Sequence, residues 1–344
     1  MEPGAFILDI QTASFGYKSR RSESVLLKQI SLQLMKNELV GLVGRNGSGK
    51  STLLRTIMKL NPLLEGKIFL DGQDIDRFHP AELARTCGFV PTGLVNAGVM
   101  KVKELVELGR YPYTNWYGKM TSDDDRAVQE ALHAVGLVDL ADRMVSEISD
   151  GEKQRAMIAR TLAQNTSLIL LDEPSAFLDI PNKYEITTLL RHLCNHDHAA
   201  VFSTHDLNLA LQYADKIWLI EDDRVMQGAP EDLIIDGKIE RLFNSGKVNF
   251  DRSGADFTPK VNYRGVISVE AENVPGYVYT WTVKALGRKG FQIISDSSGD
   301  GTHLVIRHEN DQNVWNLQQD NKNLLFNSLY DLTLHLNLDN HELN

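Results

Sequence analysis

Eight consecutive residues, Gly44-Arg45-Asn46-Gly47-Ser48-Gly49-Lys50-Ser51, carry the strongest chemical signal in the chain. They match G-x-x-x-x-G-K-[ST], a spacing whose glycines let successive backbone N–H groups turn inward into an anion-binding nest. The apolar run Glu38 to Val43 before it reads as a strand, and Lys50 to about Leu60 reads as a helix. That helix presents the positive end of its dipole to the same anion. In this setting Lys50 reaches the β- and γ-phosphates of a nucleotide, and the Ser51 hydroxyl ligates Mg²⁺. A Gly-rich turn with an incidental lysine would lack those flanks.

Two acids, Asp172 and Glu173, close the apolar run Leu168 to Leu171. An aspartate at such a strand end can hold the Mg²⁺ hydration shell, and the adjoining glutamate can polarise the water that attacks a γ-phosphate. Surface acids would explain the pair taken alone, but together with the Lys50 loop it becomes specific. His205 follows the run Ala199 to Phe202. The C-terminal end of a buried strand faces the ligand side of an open α/β sheet; taken alone His205 would be an ordinary structural histidine, but its order after the two nucleotide motifs reads as a γ-phosphate contact.

The elements that must hold these groups are legible as alternating strands and helices. Ala5 to Ile10, Ile30 to Leu34 and Lys67 to Leu70 look like strands, the last closed by the turn signal Asp71-Gly72. Leu168 to Leu171 and Ala199 to Ser203 are fully apolar, the pattern of strands buried on both faces of a parallel sheet covered by helices. Between about Thr92 and Ser146 the pattern turns polar and helical, which reads as a helical insertion into an α/β core. Asn249 to Pro259 is rich in turn formers without periodicity, and a domain boundary is placed there. Beyond it, Val266 to Ala271, Phe291 to Ile294, His303 to His308 and Val314 to Gln318 read as strands. A helix opens at Pro275-Gly276 and runs to about Arg288, and Leu325, Leu329, Leu332 and Leu336 mark one face of a last helix. The order βαβββα predicts a small α+β domain with Trp281 and Trp315 in its core.

Composition narrows the function classes. The 344 residues include 42% apolar ones, enough for a large domain and a smaller one. Lys and Arg number 36 against 46 Asp and Glu, a net charge of -10 that argues against a general nucleic-acid binder. Cys87 and Cys194 stand far apart without metal-ligand spacing, and read as buried small hydrophobes in a reducing, cytoplasmic compartment. Met1-Glu2-Pro3 carries no basic region and no apolar stretch, so no secretory signal is expected. No run approaches the ~18–20 apolar residues that cross a bilayer, so any service to a membrane goes through a partner.

One further segment completes an ordered set: Ile148-Ser149-Asp150-Gly151-Glu152-Lys153-Gln154-Arg155 resembles the ABC signature in an SDGE variant. With the phosphate loop upstream and Asp172-Glu173 downstream, the chain from about residue 5 to 230 resembles an ABC ATPase. The resemblance implies the α/β P-loop NTPase ABC ATPase fold: a parallel core sheet, an antiparallel β subdomain and a helical insertion. A nucleotide-binding domain is then expected over 1–248, with its helical subdomain at about 92–146, and a small C-terminal α+β domain over 260–344. It implies ATP and Mg²⁺ as cofactors and a head-to-tail homodimer with ATP sandwiched between subunits. Gly44 to Thr52 would cradle the phosphates, and Glu173, His205 and Lys50 would carry the chemistry. Ser149, Gly151 and Glu152 would face the partner's nucleotide, and Asp179, in Ser175-Ala176-Phe177-Leu178-Asp179, would cross the interface. Tyr17 matches the aromatic that stacks on adenine in this family, its alternative being a half-buried strand tyrosine. One departure stands out. The family's glutamine after the strand Gly88 to Val90 is replaced by Pro91-Thr92, so Thr92 joins Ser51 and Asp172 as a metal candidate with a shorter side chain.

Leu105 to Met120 is similar to the corresponding stretch of importer ATPases for iron–siderophore, haem and cobalamin, closest at Leu108-Gly109-Arg110-Tyr111-Pro112. That implies uptake driven through two copies of a polytopic membrane permease, fed by a substrate-binding protein, with the chain on the cytoplasmic face of the inner membrane. Tyr111, Tyr113, Trp116 and Tyr117 would anchor the permease or pack the insertion against the core. The alternative is a soluble ABC ATPase of repair or translation. Against it stand the single cassette, the short insertion and the acidic charge. The C-terminal domain is read either as regulatory or as a dimerisation appendage.

Overall fold

The structure, a computed structural model, describes residues 6–18, 23–93, 99–114, 119–196, 198–243, 248–252, 255–260, 262–294, 302–309, 311–319 and 322–338. The chain divides into two compact units, Met1–Ser245 with Phe250–Asp256, and Gly246–Asn249 with Phe257–Asn344. Each has a hydrophobic core of its own.

The larger unit is built on a six-stranded sheet. Its members are β3 (Leu39–Gly44), β6 (Cys87–Val90), β7 (Leu168–Leu171), β8 (Ala199–Thr204), β9 (Lys216–Glu221) and β10 (Arg224–Gly228). They lie in the order β10-β9-β3-β8-β7-β6, parallel except for the antiparallel edge β10. Every residue of β3, β7 and β8 is buried. A strand flanked by helices has no solvent side, which is why these stretches are continuously apolar and not alternating. The helices α1 (Lys50–Ile57), α5 (Asp150–Leu162), α6 (Ile180–Cys194) and α7 (Leu207–Tyr213) pack on this sheet. A second sheet, antiparallel throughout, orders β2 (Glu23–Met35), β1 (Phe6–Lys18), β4 (Leu63–Leu70) and β5 (Gln73–Asp74). β1 and β2 run further than expected because register shifts along their pairing break the simple alternation. One core joins the two sheets, with Phe15, Leu27, Leu53 and Trp218 fully buried in it.

The helices α2 (Pro80–Thr86), α3 (Val102–Glu107) and α4 (Ser122–Ala134) flank and fill the expected insertion, where α3, α4 and α5 pack together. Arg110 and Asp124 form a buried ion pair there, Nε to Oδ1 at 2.7 Å, and Arg110 also donates to the Ala163 carbonyl at 2.8 Å. Thr121 caps α4 and donates its amide and hydroxyl to the same carboxylate. Those bonds, and Arg110 after them, hold the Asp124 carboxyl below its usual pKa. Tyr113 sits under Arg110, 3.8 Å from its guanidinium carbon, and donates to the Gln164 carbonyl, whereas Tyr111 is 76% exposed. Trp116 and Tyr117 lie outside the described residues. The unit continues through α8 (Pro230–Ile235) and α9 (Lys238–Phe243). Cys87 and Cys194 are free, buried thiols, and burial pushes Cys194 up to about 12. Among the described residues no helix is long and apolar enough to cross a membrane.

The stretch read as an irregular boundary is not bare of structure. β11 (Val248–Asp251) and β12 (Asp256–Pro259) pair as a two-stranded sheet, with the turn formers between them in sequence.

The smaller unit orders β14 (Phe291–Ile294), β13 (Gly265–Glu272), β15 (Thr302–Glu309), β16 (Gln312–Gln319) and β17 (Lys322–Phe326) in one sheet. β13 pairs in parallel with β14 and β15, and β15, β16 and β17 continue antiparallel. The helices α10 (Gly276–Arg288) and α11 (Leu329–Leu338) supply Val278, Leu286, Leu332 and Leu336 to its core. The order is therefore βαββββα, one strand more than expected. Leu325 belongs to β17 and is 69% exposed, not on a helix face. Trp315 is buried and donates its indole N–H to the Thr282 hydroxyl at 2.9 Å. Trp281 is 59% exposed, contrary to expectation: α10 buries Val278, Thr282, Ala285 and Leu286, and position 281 falls at the edge of that face, beside it and not at its centre.

Candidate active site

The loop from β3 to α1 turns tightly. Gly47 and Gly49 take φ of 78° and 102°, conformations a side chain would strain, and Gly49 caps α1. A Cβ on Gly44 would stand 2.7 Å from the Ser48 hydroxyl and 3.0 Å from Ile220. Lys50 is 5% exposed and folds back under the loop, its Nζ donating to the carbonyls of Gly44 (3.0 Å) and Arg45 (3.3 Å). Burial pushes the Lys50 pKa down, against the opposing pull of Glu173 and Asp172. Ser48 Oγ is buried without a hydrogen-bond partner among the described residues.

Across from the loop, β7 and β8 end side by side. Asp172 is fully buried, and its Oδ1 accepts the Ser51 hydroxyl at 2.8 Å while Oδ2 has no partner among the described residues. Glu173 has a positive φ of 52°, which is uncommon for a residue with a side chain and marks a site held by its surroundings. Its carboxylate lies between two bases, Oε1 at 4.0 Å from Lys50 Nζ and Oε2 at 3.7 Å from His205 Nδ1. The sequence reading passed over Ser203, whose hydroxyl donates to Asp172 Oδ1 at 2.9 Å and accepts the Glu173 amide at 2.8 Å. Its one trace in the sequence is a serine following the apolar run Ala199 to Phe202, a pattern that does not by itself separate a site residue from an ordinary strand serine.

A cleft of about 510 Å³ opens here, lined by residues 46–52 of the loop and the first turn of α1, Tyr17, Leu26 and Glu173. Tyr17 is 54% exposed and its hydroxyl meets Thr52 Oγ1 at 2.9 Å, so the ring stands at the edge of the loop. A nest of amides, a buried lysine and a carboxylate set between Lys50 and His205 make a place for a polyphosphate and for activation of a water beside it.

Ser149, Gly151, Glu152 and Asp179 gather elsewhere. Ser149 caps α5, its hydroxyl accepting the Glu152 amide and donating to the Glu152 carboxylate at 2.7 Å. The Ser149 hydroxyl and amide hold the Glu152 carboxyl below its usual pKa. Asp179 caps α6 and accepts from the Asn182 side chain at 2.6 Å. That same side chain would lie 2.3 Å from a Cβ on Gly151, so a larger residue there would push Asn182 aside. Among the described residues no hydrogen bond or ion pair joins this cluster to the phosphate loop. Thr92 is exposed in the bend after β6, with no hydrogen bond to Ser51 or Asp172 among the described residues.

Sheet order, phosphate loop and paired acids define a P-loop ATPase of the ABC type. Residues 27–176 match the ABC transporter family, and 264–337 match the iron ABC transporter C-terminal domain. A petrobactin import ATP-binding protein of Bacillus anthracis is 39% identical over 221 residues, 64% of this chain and 81% of that one. The ferric enterobactin transport ATP-binding protein of Escherichia coli is 35% identical over 219 residues, 63% and 80% of the two chains. A dimeric ATP-binding cassette in a post-hydrolysis state, bound to ADP and phosphate, superposes with a TM-score of 0.56. It is 28% identical, with 65% of this chain and 98% of that one covered. The chain belongs to the ATP-binding subunits of ABC transporters and is an ATPase.

Proposed function

We propose that this subunit powers uptake of an iron chelate, a ferric siderophore foremost, through a membrane permease. Haem and cobalamin are the further cargoes of the same importer type. The reading rests on one observation: Lys50, Ser51 and Glu173 line a single cleft, with Asp172 hydrogen-bonded to Ser51 and His205 3.7 Å from the Glu173 carboxylate. The cargo follows from the relatives named above and from the iron-transporter match at 264–337.

The loop amides and Lys50 bind and orient the phosphates, Tyr17 stacks on the base, and Glu173 takes up the proton of the attacking water while His205 contacts the γ-phosphate. Ser51 and Asp172 suit Mg²⁺, a hard cation that favours oxygen donors, and the buried, unpartnered Asp172 Oδ2 leaves a lone pair for its shell. When bound, the ion neutralises charge on the phosphate oxygens. Ser149, Gly151, Glu152 and Asp179 serve the nucleotide held by a second copy in a head-to-tail homodimer. Thr92, shorter than the family's glutamine, reaches the metal less well and alters the dependence of hydrolysis on the permease. Residues 1–248 form the nucleotide-binding domain, with the helical subdomain at about 92–146 offering Tyr111 to the permease on the cytoplasmic face of the membrane. Residues 260–344 form an accessory domain, regulatory or dimerising, and a substrate-binding protein feeds the permease from the other side.

A tagged pull-down from native membranes in mild detergent tests this. A co-purifying polytopic permease supports the importer, and a metal-chelate binding protein beside it fixes the cargo class. Ribosomes, DNA or no partner would overturn the transport reading in favour of a soluble ABC ATPase.

A further inference from the structure

We propose that Ser203 is a positioning residue of the ATP site, its hydroxyl tying both acids at the end of β7 to the strand end that carries His205. The proposal rests on the reading of Asp172 and Glu173 as nucleotide-site residues. Ser203 is fully buried in β8, directly after the apolar stretch Ala199 to Phe202, and a buried hydroxyl is costly unless its bonds are made. Here both are made to the site. The O–H donates to Asp172 Oδ1 at 2.9 Å, the same oxygen that receives Ser51 at 2.8 Å, and the oxygen accepts the Glu173 N–H at 2.8 Å.

Three consequences follow from that geometry. The Ser51 and Ser203 donors together occupy Oδ1, which leaves Oδ2 as the free face of Asp172. The amide bond pins Glu173 at its positive φ of 52°, a conformation that persists only where the surroundings over-determine it. Two residues on, His205 Nδ1 stands 3.7 Å from the Glu173 carboxylate, so one stretch of chain fixes the carboxylate from its backbone and faces it with an imidazole. The turn between is held by the Asp206 amide donating to Thr204 Oγ1 at 2.9 Å. Ser203 itself does not line the cleft. Its effect therefore falls on the geometry of the attack and not on nucleotide affinity.

Steady-state ATP hydrolysis by the full chain, with Ser203→Ala and Ser203→Thr, tests the assignment. Losing one hydrogen bond to a charged group and one to a strained amide predicts kcat lowered about tenfold to a hundredfold for Ser203→Ala, with KM for MgATP within about threefold. Ser203→Thr, which restores the hydroxyl, returns kcat to within about threefold of the parent. If Ser203→Ala does not fold, Ser203→Cys, close in size but a weak donor, takes its place with the same expectation. A Ser203→Ala kcat within about twofold of the parent, a loss carried by KM, or a threonine variant as slow as the alanine one overturns the proposal. Lys50→Ala and Glu173→Gln run beside them. If both hydrolyse ATP at the parent rate, the site reading itself has failed. If both are impaired while Ser203→Ala is not, only the role of Ser203 falls.

Discussion

Lys50 shows how few atoms decide the chemistry. Its ammonium is buried under the loop, satisfied by two carbonyls and 4.0 Å from Glu173, an arrangement that holds a cation ready for phosphate at the expense of its own solvation. Replacing it with alanine removes a charge-assisted contact worth about 1.5–3 kcal/mol, so Lys50→Ala is predicted to weaken MgATP binding about tenfold to a hundredfold. Titration with a fluorescent nucleotide analogue reads this directly, and unchanged affinity would place the phosphates elsewhere. At the adenine edge, Tyr17→Ala is predicted to lower affinity about fivefold to a hundredfold through lost stacking, whereas Tyr17→Phe, which loses only the bond to Thr52, costs little. The phosphate loop and both acids were legible as residue patterns because their chemistry needs those types at those spacings. Ser203 was not, because a serine inside an apolar run has the same appearance whether it bonds a neighbouring strand or the site.

At the level of elements, the helical insertion depends on one buried pair. Asp124 accepts from Thr121 and pairs with Arg110, which in turn binds the end of α5 and covers Tyr113. Asp124→Asn keeps much of the cap but leaves a buried guanidinium unpaired, and is predicted to cost about 3–5 kcal/mol at pH 7 in chemical denaturation. The sign with pH follows from the depressed carboxyl. Because the folded pKa lies below the unfolded value of about 4, the stabilisation is complete above that value and is lost as pH falls through the folded one. The gap between parent and Asp124→Asn should therefore narrow below about pH 4. A constant gap would show that the carboxylate charge is not what Arg110 needs. Elements announced themselves in sequence in proportion to burial. β7 was read at its true bounds because both its faces are covered. β17 was folded into the next helix because Lys322–Phe326 is a five-residue edge strand whose leucines alternate sides. β11 and β12 were lost among turn formers for the same reason, being only four residues each.

The whole molecule carries two cores, and each should answer for its own unit. Leu304 is fully buried in the smaller one, so Leu304→Ala is predicted to cost that unit about 2–5 kcal/mol while leaving nucleotide binding intact. Calorimetry should resolve two transitions with only one displaced; a single transition would mean the cores unfold together. In the larger unit, no hydrogen bond or ion pair among the described residues joins the cluster of Ser149, Gly151 and Asp179 to its own phosphate loop, as a site completed by a second copy would require. The measurement that bears most directly on this is light scattering of Glu173→Gln with MgATP, run beside a hydrolysis assay. The prediction is a dimer of two 38.6 kDa chains that retains ATP and has lost at least about a hundredfold in turnover. A monomer that hydrolyses ATP at the parent rate would contradict it.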